Sequence, residues 1–306
     1  MKVVVTGAAG RLARAVLPIL CRHPRVEQVH GIDWREVAFT HPKFLAHRAD
    51  LREGLSERLL AGADGLVHLA FIVLRARLDP GSMRAINVDG TLALLRRARA
   101  AGVPRRVYLS SAAVYGAGEQ LGEDAPLAPL PGFEYARHKA EVEKRLEAAD
   151  PECVRLRPHA IVGPHCQPLL KRLLRQPFYV RLPDPQPRLQ CVHEDDVAQA
   201  VVACLLKDVG GPFNLAAEDT FCFRDAIAER HRLPVAVSLA TARRVVRFGW
   251  RFAGLFGEPG WVEGLALPLT LDCTRARTEL GWRPRYACRE ALAAAVPPKP
   301  RRTLKP

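Results

Sequence analysis

With 306 residues and 48% hydrophobic side chains, the chain can bury a large core, which excludes a disordered polymer and fits one large α/β unit or a domain with a smaller appendage. No run of about 18 apolar residues occurs, and residues 2–6 enter a strand-like stretch without a charged leader or cleavage site. The expectation is therefore a cytoplasmic protein, neither secreted nor membrane-spanning. Cys21, Cys153, Cys166, Cys191, Cys204, Cys222, Cys273 and Cys288 are scattered, with no Cys-x-x-Cys and no zinc-like spacing, which points to reduced thiols and no metal site. The net charge of +14 is carried mostly by dispersed arginines. They read as a solvated surface without a nucleic-acid partner, and phosphate-bearing ligands are the sharper alternative.

The first half alternates short β-branched runs with longer helical patterns, the mark of β-α-β units and a mainly parallel sheet. Strands are expected at residues 2–6, 26–33, 44–49, 65–70, 106–110 and 153–157, and helices at 11–21, 83–101 and 135–149. Past Pro158 prolines crowd residues 158–187 and the alternation becomes irregular. A boundary is placed there: residues 1–158 form one domain, and residues 159–296 are mainly a smaller substrate-binding part, with segments around 189–207 returning to the core. Residues 297–306, basic and proline-rich, read as a flexible tail.

Thr6-Gly7-Ala8-Ala9-Gly10-Arg11-Leu12-Ala13 follows the first strand directly and opens a helix. In that setting glycines let backbone approach a pyrophosphate, and the helix N-terminus aims amide N–H groups and partial positive charge at it. Asp33, at the end of the second strand about 20 residues on, is placed to accept from a ribose hydroxyl. Its charge favours NAD over NADP, although Arg11 and Arg35 stand close enough to accommodate a 2′-phosphate. Asp50 and Leu51, after the third strand, suit the adenine edge. The plain alternatives are a structural turn and an exposed loop aspartate.

Ser110 and Ser111 follow the fifth strand, and Tyr135-Ala136-Arg137-His138-Lys139 begins the next helix. Residues four apart share a helix face, so Tyr135 and Lys139 can address one site. A phenol with a reference pKa near 10 is a poor base until nearby positive charge stabilises its phenolate, and Lys139 with an oxidised nicotinamide would supply that charge. Alone, Tyr-x-x-x-Lys is a frequent accident on helices. A dinucleotide turn and a strand-ending serine upstream of it reverse those odds.

These residues, together with His68-Leu69-Ala70, Asn87 to Thr91, Ser110 to Gly116, Leu156-Arg157-Pro158, Val192 to Ala198 and Leu280 to Pro284, resemble an extended short-chain dehydrogenase/reductase of the NAD-dependent epimerase/dehydratase group. The resemblance runs in order from residue 3 to about 284 and implies a Rossmann-type, doubly wound α/β fold. By it, Ser111 hydrogen-bonds the reacting oxygen, Tyr135 exchanges its proton, and Lys139 binds the nicotinamide ribose and lowers the tyrosine pKa. Asn87 braces its helix near the site. His68, Leu69 and Ala70 line the cofactor, and His193 belongs to a structural turn. The cofactor-binding set comprises Gly7, Ala9, Gly10, Arg11, Leu12, Asp33, Asp50, Leu51, Leu69, Ala70, Asn87, Ser110, Tyr135, Lys139 and Pro158. The resemblance also implies a homodimer.

Departures from the family pattern narrow the reaction. The third glycine is Ala13, a tolerated change. Ala112 and Ala113 stand where the dehydratases carry an acidic pair, which disfavours dehydration. Leu189 occupies the place of a diphosphate-gripping arginine, with Arg188 one residue earlier. An asparagine of nucleotide-sugar enzymes is missing from Pro158-His159-Ala160-Ile161. Lys171, Arg172 and Arg188 are the alternative phosphate partners. In residues 243–256, Arg243, Arg247 and Arg251 share a helical face among aromatics; packing in the substrate part or at a subunit contact is the favoured reading, and association with a membrane surface or an apolar-substrate pocket the alternative. The function expected is NAD-dependent epimerisation or oxidation of a secondary alcohol of a sugar or nucleotide sugar. The rivals are a 3β-hydroxysteroid dehydrogenase-like or dihydroflavonol reductase-like enzyme and a non-catalytic NAD-binding scaffold.

Overall fold

The computed structural model describes residues 1–50, 57–74, 79–253 and 258–298. Seven strands form one wholly parallel sheet: β1 (Lys2–Thr6), β2 (Gln28–Asp33), β3 (Phe44–Arg48), β4 (Gly65–His68), β5 (Arg105–Leu109), β6 (Val154–Pro158) and β7 (Gly211–Leu215). Across the sheet they run β7-β6-β5-β4-β1-β2-β3, so the order reverses between β1 and β4. Four helices cover it: α1 (Ala13–Arg22), α2 (Thr91–Ala100), α3 (Glu134–Ala149) and α4 (Glu194–Leu206).

Parallel sheets flanked by crossover helices are buried on both faces, and Val3, Val4 and Val5 of β1 are all fully buried. Because strand side chains alternate, Val3 and Val5 join one core layer with Val16, Leu17 and Leu20 of α1 and Val197 and Val201 of α4. Val4 joins the opposite layer with Leu94 and Leu95 of α2 and Val142 and Leu146 of α3.

Every strand expected in the first half is present. The helix expected over residues 83–101 is three pieces: Pro80–Arg84, a wide π turn at Ala85–Gly90, and α2. The parallel core also reaches past Pro158, because β7 pairs with β6 from Gly211 against Val154 to Leu215 against Pro158, and α4 packs on α1. Beyond the sheet the chain makes small two-stranded pairings, Ile161–Val162 with Val192–His193 and Phe178–Arg181 with Val235–Ser238, the latter leading into helix α5 (Leu239–Ala253). A third apolar cluster, including Leu174, Cys191, Ala226 and Leu292, knits this part together. Residues 299–306, part of the expected tail, lie outside the described residues.

The interior also holds charge. Arg157 of β6 donates from Nε to Glu143 Oε2 at 2.9 Å and from Nη1 to the Tyr115 hydroxyl at 2.6 Å, and that hydroxyl donates to Asn214 Oδ1 at 2.8 Å. Burying such ions is tolerable only because each meets its partners. Arg157→Leu therefore leaves Glu143 under-neutralised, and urea denaturation should show a loss of about 3–5 kcal/mol.

His68, at the end of β4, is buried between the Thr6 hydroxyl (2.6 Å from Nδ1) and the Thr91 hydroxyl (2.8 Å from Nε2). It fastens β1, β4 and α2 together. Burial, reinforced by the nearby Lys139 charge, pushes its pKa down to about 3. The unfolded chain takes up this proton near pH 6.5 while the native chain does not. Stability from this ring is thus complete above about pH 6.5 and falls by roughly 1.4 kcal/mol per unit on acidification towards about pH 3. Unfolding midpoints measured across that window should fall less steeply in His68→Gln; an unchanged slope would show that the native ring already carries a proton.

Candidate active site

Where strand order reverses in an open parallel sheet, a crevice opens beyond the carboxyl ends of the two strands. Here those are β1 and β4. Gly7, just past β1, has φ +73°, and a Cβ on it would lie 2.6 Å from the Ala70 amide nitrogen. A Cβ on Gly10 would lie 2.7 Å from the Gly7 carbonyl oxygen, which already accepts from Gly10 N at 2.8 Å. Only glycine fits either place. The turn runs on through Arg11, which is exposed, to Leu12, which begins α1 with no side-chain cap. The first amide groups of α1 thus take no hydrogen bond from the Leu12 side chain. Ala9 N, Gly10 N, Arg14 N and Ala15 N are each engaged within the protein, so what the turn offers a pyrophosphate is close approach to side-chain-free backbone at the positive end of α1.

Asp33, buried at the end of β2, accepts from Ala9 N at 3.0 Å and from Arg35 N and Nε at 3.0 and 3.3 Å. Its carboxylate thereby ties the glycine turn to the second strand, and Arg35 offsets part of its charge. Asp50 follows β3 in the described chain and is half-buried; Leu51 lies outside the described residues.

On the β4 side, Leu69 and Ala70 face the glycine turn, with Leu69 N donating to Thr6 O at 3.1 Å. The chain after them is held by Asn87, fully buried on the π turn: Oδ1 accepts from Ile72 N at 2.8 Å and Nδ2 donates to Ile72 O at 3.0 Å. A π turn inside a helix commonly marks a functional position, and here it directs this amide at the loop that carries Phe71. His68 differs from its two neighbours, since both its ring nitrogens are engaged by threonines.

The end of β5 and helix α3 supply the remaining groups. Ser111 caps the short turn Ala112–Tyr115, accepting from Ala113 N at 3.2 Å, and its hydroxyl acts on the Tyr135 phenol in the direction that lowers its pKa. Lys139, one turn along α3, is buried; its ammonium donates to Leu109 O and lies 3.5 Å from the Phe71 ring centroid and 4.5 Å from that of Tyr108. The Phe71 and Tyr135 rings meet edge to face at 5.6 Å. A continuous set of contacts therefore links Gly7, Ala70, Phe71, Lys139 and Tyr135. Burial pushes the Tyr135 phenol up to about 12 against the lowering effect of Ser111. Burial likewise holds Lys139 well below the usual lysine range, with Glu143 acting in the opposite direction.

Not every expected residue points into this crevice. The Ser110 hydroxyl donates to Glu143, next to the Arg157 network, and Pro158 closes β6 as a buried strand end. His193 caps α4, accepting from Asp195 N at 3.2 Å, and stacks on Tyr286 with ring centroids 3.9 Å apart. Leu189 is buried, with bridges to Phe221 and Leu269. Sequence reasoning passed over Phe71, Tyr108 and Glu143, which surround Lys139. Glu143 had a legible signal, since it lies four residues beyond Lys139 on the same helical face.

A sequence model of the NAD dependent epimerase/dehydratase family matches residues 3–216. The chain is 28% identical over 303 residues to an uncharacterized protein of Mycobacterium tuberculosis; the match takes in 95% of this chain but only 29% of that protein's length. It is 27% identical to a UDP-glucose 4-epimerase of Mycolicibacterium smegmatis, with 97% of each chain covered. The fold is similar to that of a Bacillus cereus UDP-glucuronic acid 4-epimerase solved with NAD, at TM-score 0.75 and 20% identity over 96% of this chain and 97% of that one. With most of its length matched by the family model, from β1 through β7, this chain belongs to the NAD-dependent epimerase/dehydratase family.

Proposed function

We propose that the chain is an NAD-dependent epimerase or dehydrogenase acting on a secondary alcohol of a sugar or nucleotide sugar, with Tyr135, Lys139 and Ser111 as its catalytic residues. The observation that carries this is the placement of Tyr135 and Lys139 one turn apart beside the glycine cradle, joined to it through Phe71 and Ala70. The turn of Gly7, Ala9 and Gly10 would let a pyrophosphate approach the backbone at the positive end of α1, and Asp33 and Lys139 would hold the riboses. Bound there, NAD would supply a hydride acceptor and a positive charge near the phenol.

Ser111 orients the substrate hydroxyl while Tyr135 takes its proton. The phenol needs help to do so, because burial favours its neutral form. Lys139 gives that help when charged. Its ammonium is sustained by the Leu109 carbonyl, two aromatic faces and Glu143, and negative phosphates entering the crevice would favour it further. Ala112 and Ala113 offer no acid for dehydration. An epimerase would return the hydride to the opposite face of the ketone, and a dehydrogenase would release the reduced cofactor.

The similarity to the UDP-glucose 4-epimerase of Mycolicibacterium smegmatis supports a nucleotide-sugar substrate. One observation favours an apolar alcohol instead: Phe71, Phe133 and Trp261 form a run of rings beside Tyr135, with Phe133 at 5.7 Å from Tyr135 and 5.6 Å from Trp261. Assays of nucleotide sugars, free sugars and sterols decide between these readings. Stereochemical inversion without net NADH is expected for an epimerase, and stoichiometric NADH from a sterol would establish the second reading.

Tyr135→Phe should lower kcat by at least about 1,000-fold while NAD still raises the melting temperature. Normal turnover in that variant would remove the mechanism. Lys139→Met removes positive charge next to the phenol, so the acid limb of the pH–rate profile should move to higher pH and NAD binding should weaken. A profile that keeps its position would show that Lys139 does not tune the phenol.

A further inference from the structure

Two stretches of the chain, residues 168–183 and 231–253, contain no acidic residue and carry four and five lysine or arginine side chains respectively. The fold brings them together. Phe178–Arg181 pairs in parallel with Val235–Ser238, Phe178 lying directly opposite Val235, and α5 continues from that pairing and packs on it. The acids bordering this lobe that the ion pairs cover are neutralised: Asp184 by Arg224 at 3.2 Å, Asp225 by Arg224 at 3.3 Å, Glu229 by Arg289 at 3.2 Å and Glu263 by Arg243 at 2.6 Å.

The same lobe concentrates exposed apolar surface. Of the eight large apolar side chains that stand most exposed among the described residues, five lie here: Phe178, Leu233, Val235, Val245 and Phe248, with Leu233 78% and Phe248 67% exposed. Residues opposite one another in a parallel pair project to the same side, so Phe178 and Val235 form one apolar step, and Leu233 stands two residues ahead of it. On α5, Val245 and Phe248 are three apart and share the outer face with exposed Arg244 and Arg247. An aromatic flanked by arginines on the outer face of a helix, beside further exposed apolar groups, is the composition of a surface that lies in a lipid interface.

We propose that this lobe docks on an anionic lipid bilayer, with Phe248, Val245 and the Phe178–Val235 step entering the headgroup boundary and Arg244 and Arg247 meeting lipid phosphates. A chain of net charge +14 is drawn to such a surface before contact. A second copy of the chain is a poorer occupant, because a two-fold pairing of this face would set arginine against arginine. Duplex DNA offers no counterpart for five exposed apolar side chains.

The test is co-sedimentation of the full chain with vesicles of phosphatidylcholine alone and of phosphatidylcholine mixed with phosphatidylglycerol, at low and high salt. Binding is expected only to the phosphatidylglycerol vesicles and should weaken as salt rises. The double variant Arg244→Glu/Arg247→Glu should lower partitioning by at least about 25-fold, and Phe248→Ser should lower it independently, with circular dichroism unchanged in both. Absence of binding by the natural chain, or equal binding by the variants, overturns the proposal. So does a result in which the variants instead abolish a dimer in gel filtration or binding to duplex DNA.

Discussion

The contact between Gly7 and the backbone of Leu69 and Ala70 fixes where everything else can stand. With room for no side chain between them, the turn after β1 and the loop after β4 close against each other at the place where strand order reverses. That closure aims the start of α1 into the crevice and brings Phe71 against Lys139 and Tyr135. His68 and Asn87 hold it from behind, one joining Thr6 to Thr91 and the other clamping Ile72. Neither needs to touch a ligand for the site to depend on it.

A second constraint is electrostatic. Lys139 is deeply desolvated, and the groups that offset that cost come from three elements: the Leu109 carbonyl at the end of β5, the rings of Phe71 and Tyr108, and Glu143 one turn further along α3. Glu143 is in turn held by Arg157 and Ser110. The buried ion network is therefore continuous with the proposed catalytic pair. A shift of Glu143 would therefore change the field at the Lys139 ammonium as well as disturb the core.

Away from the crevice the chain carries its charge unevenly. The core is populated by ions that are paired to one another, whereas the lobe around α5 is basic without internal counter-ions over two stretches. On this helix Arg243 pairs with Glu263, and one side rests on the Val235–Ser238 strand. Arg244, Val245, Arg247 and Phe248 face outward. The side chains of Arg251 and Phe252, and residues 254–256, lie outside the described residues.

By itself the sequence determined the parallel α/β architecture, the glycine turn with Asp33, and the Tyr135/Lys139 spacing, because each rests on local rules: hydrophobic period, glycine conformation and helical repeat. Tertiary structure alone decided the partners. No local rule could show that the seventh strand would come from residues 211–215, that the Ser110 hydroxyl would turn to Glu143, or that both nitrogens of His68 would be taken by threonines 62 and 23 residues away. Those choices depend on which side chains meet across the sheet, and a buried polar group pairs with whatever the packing brings within reach.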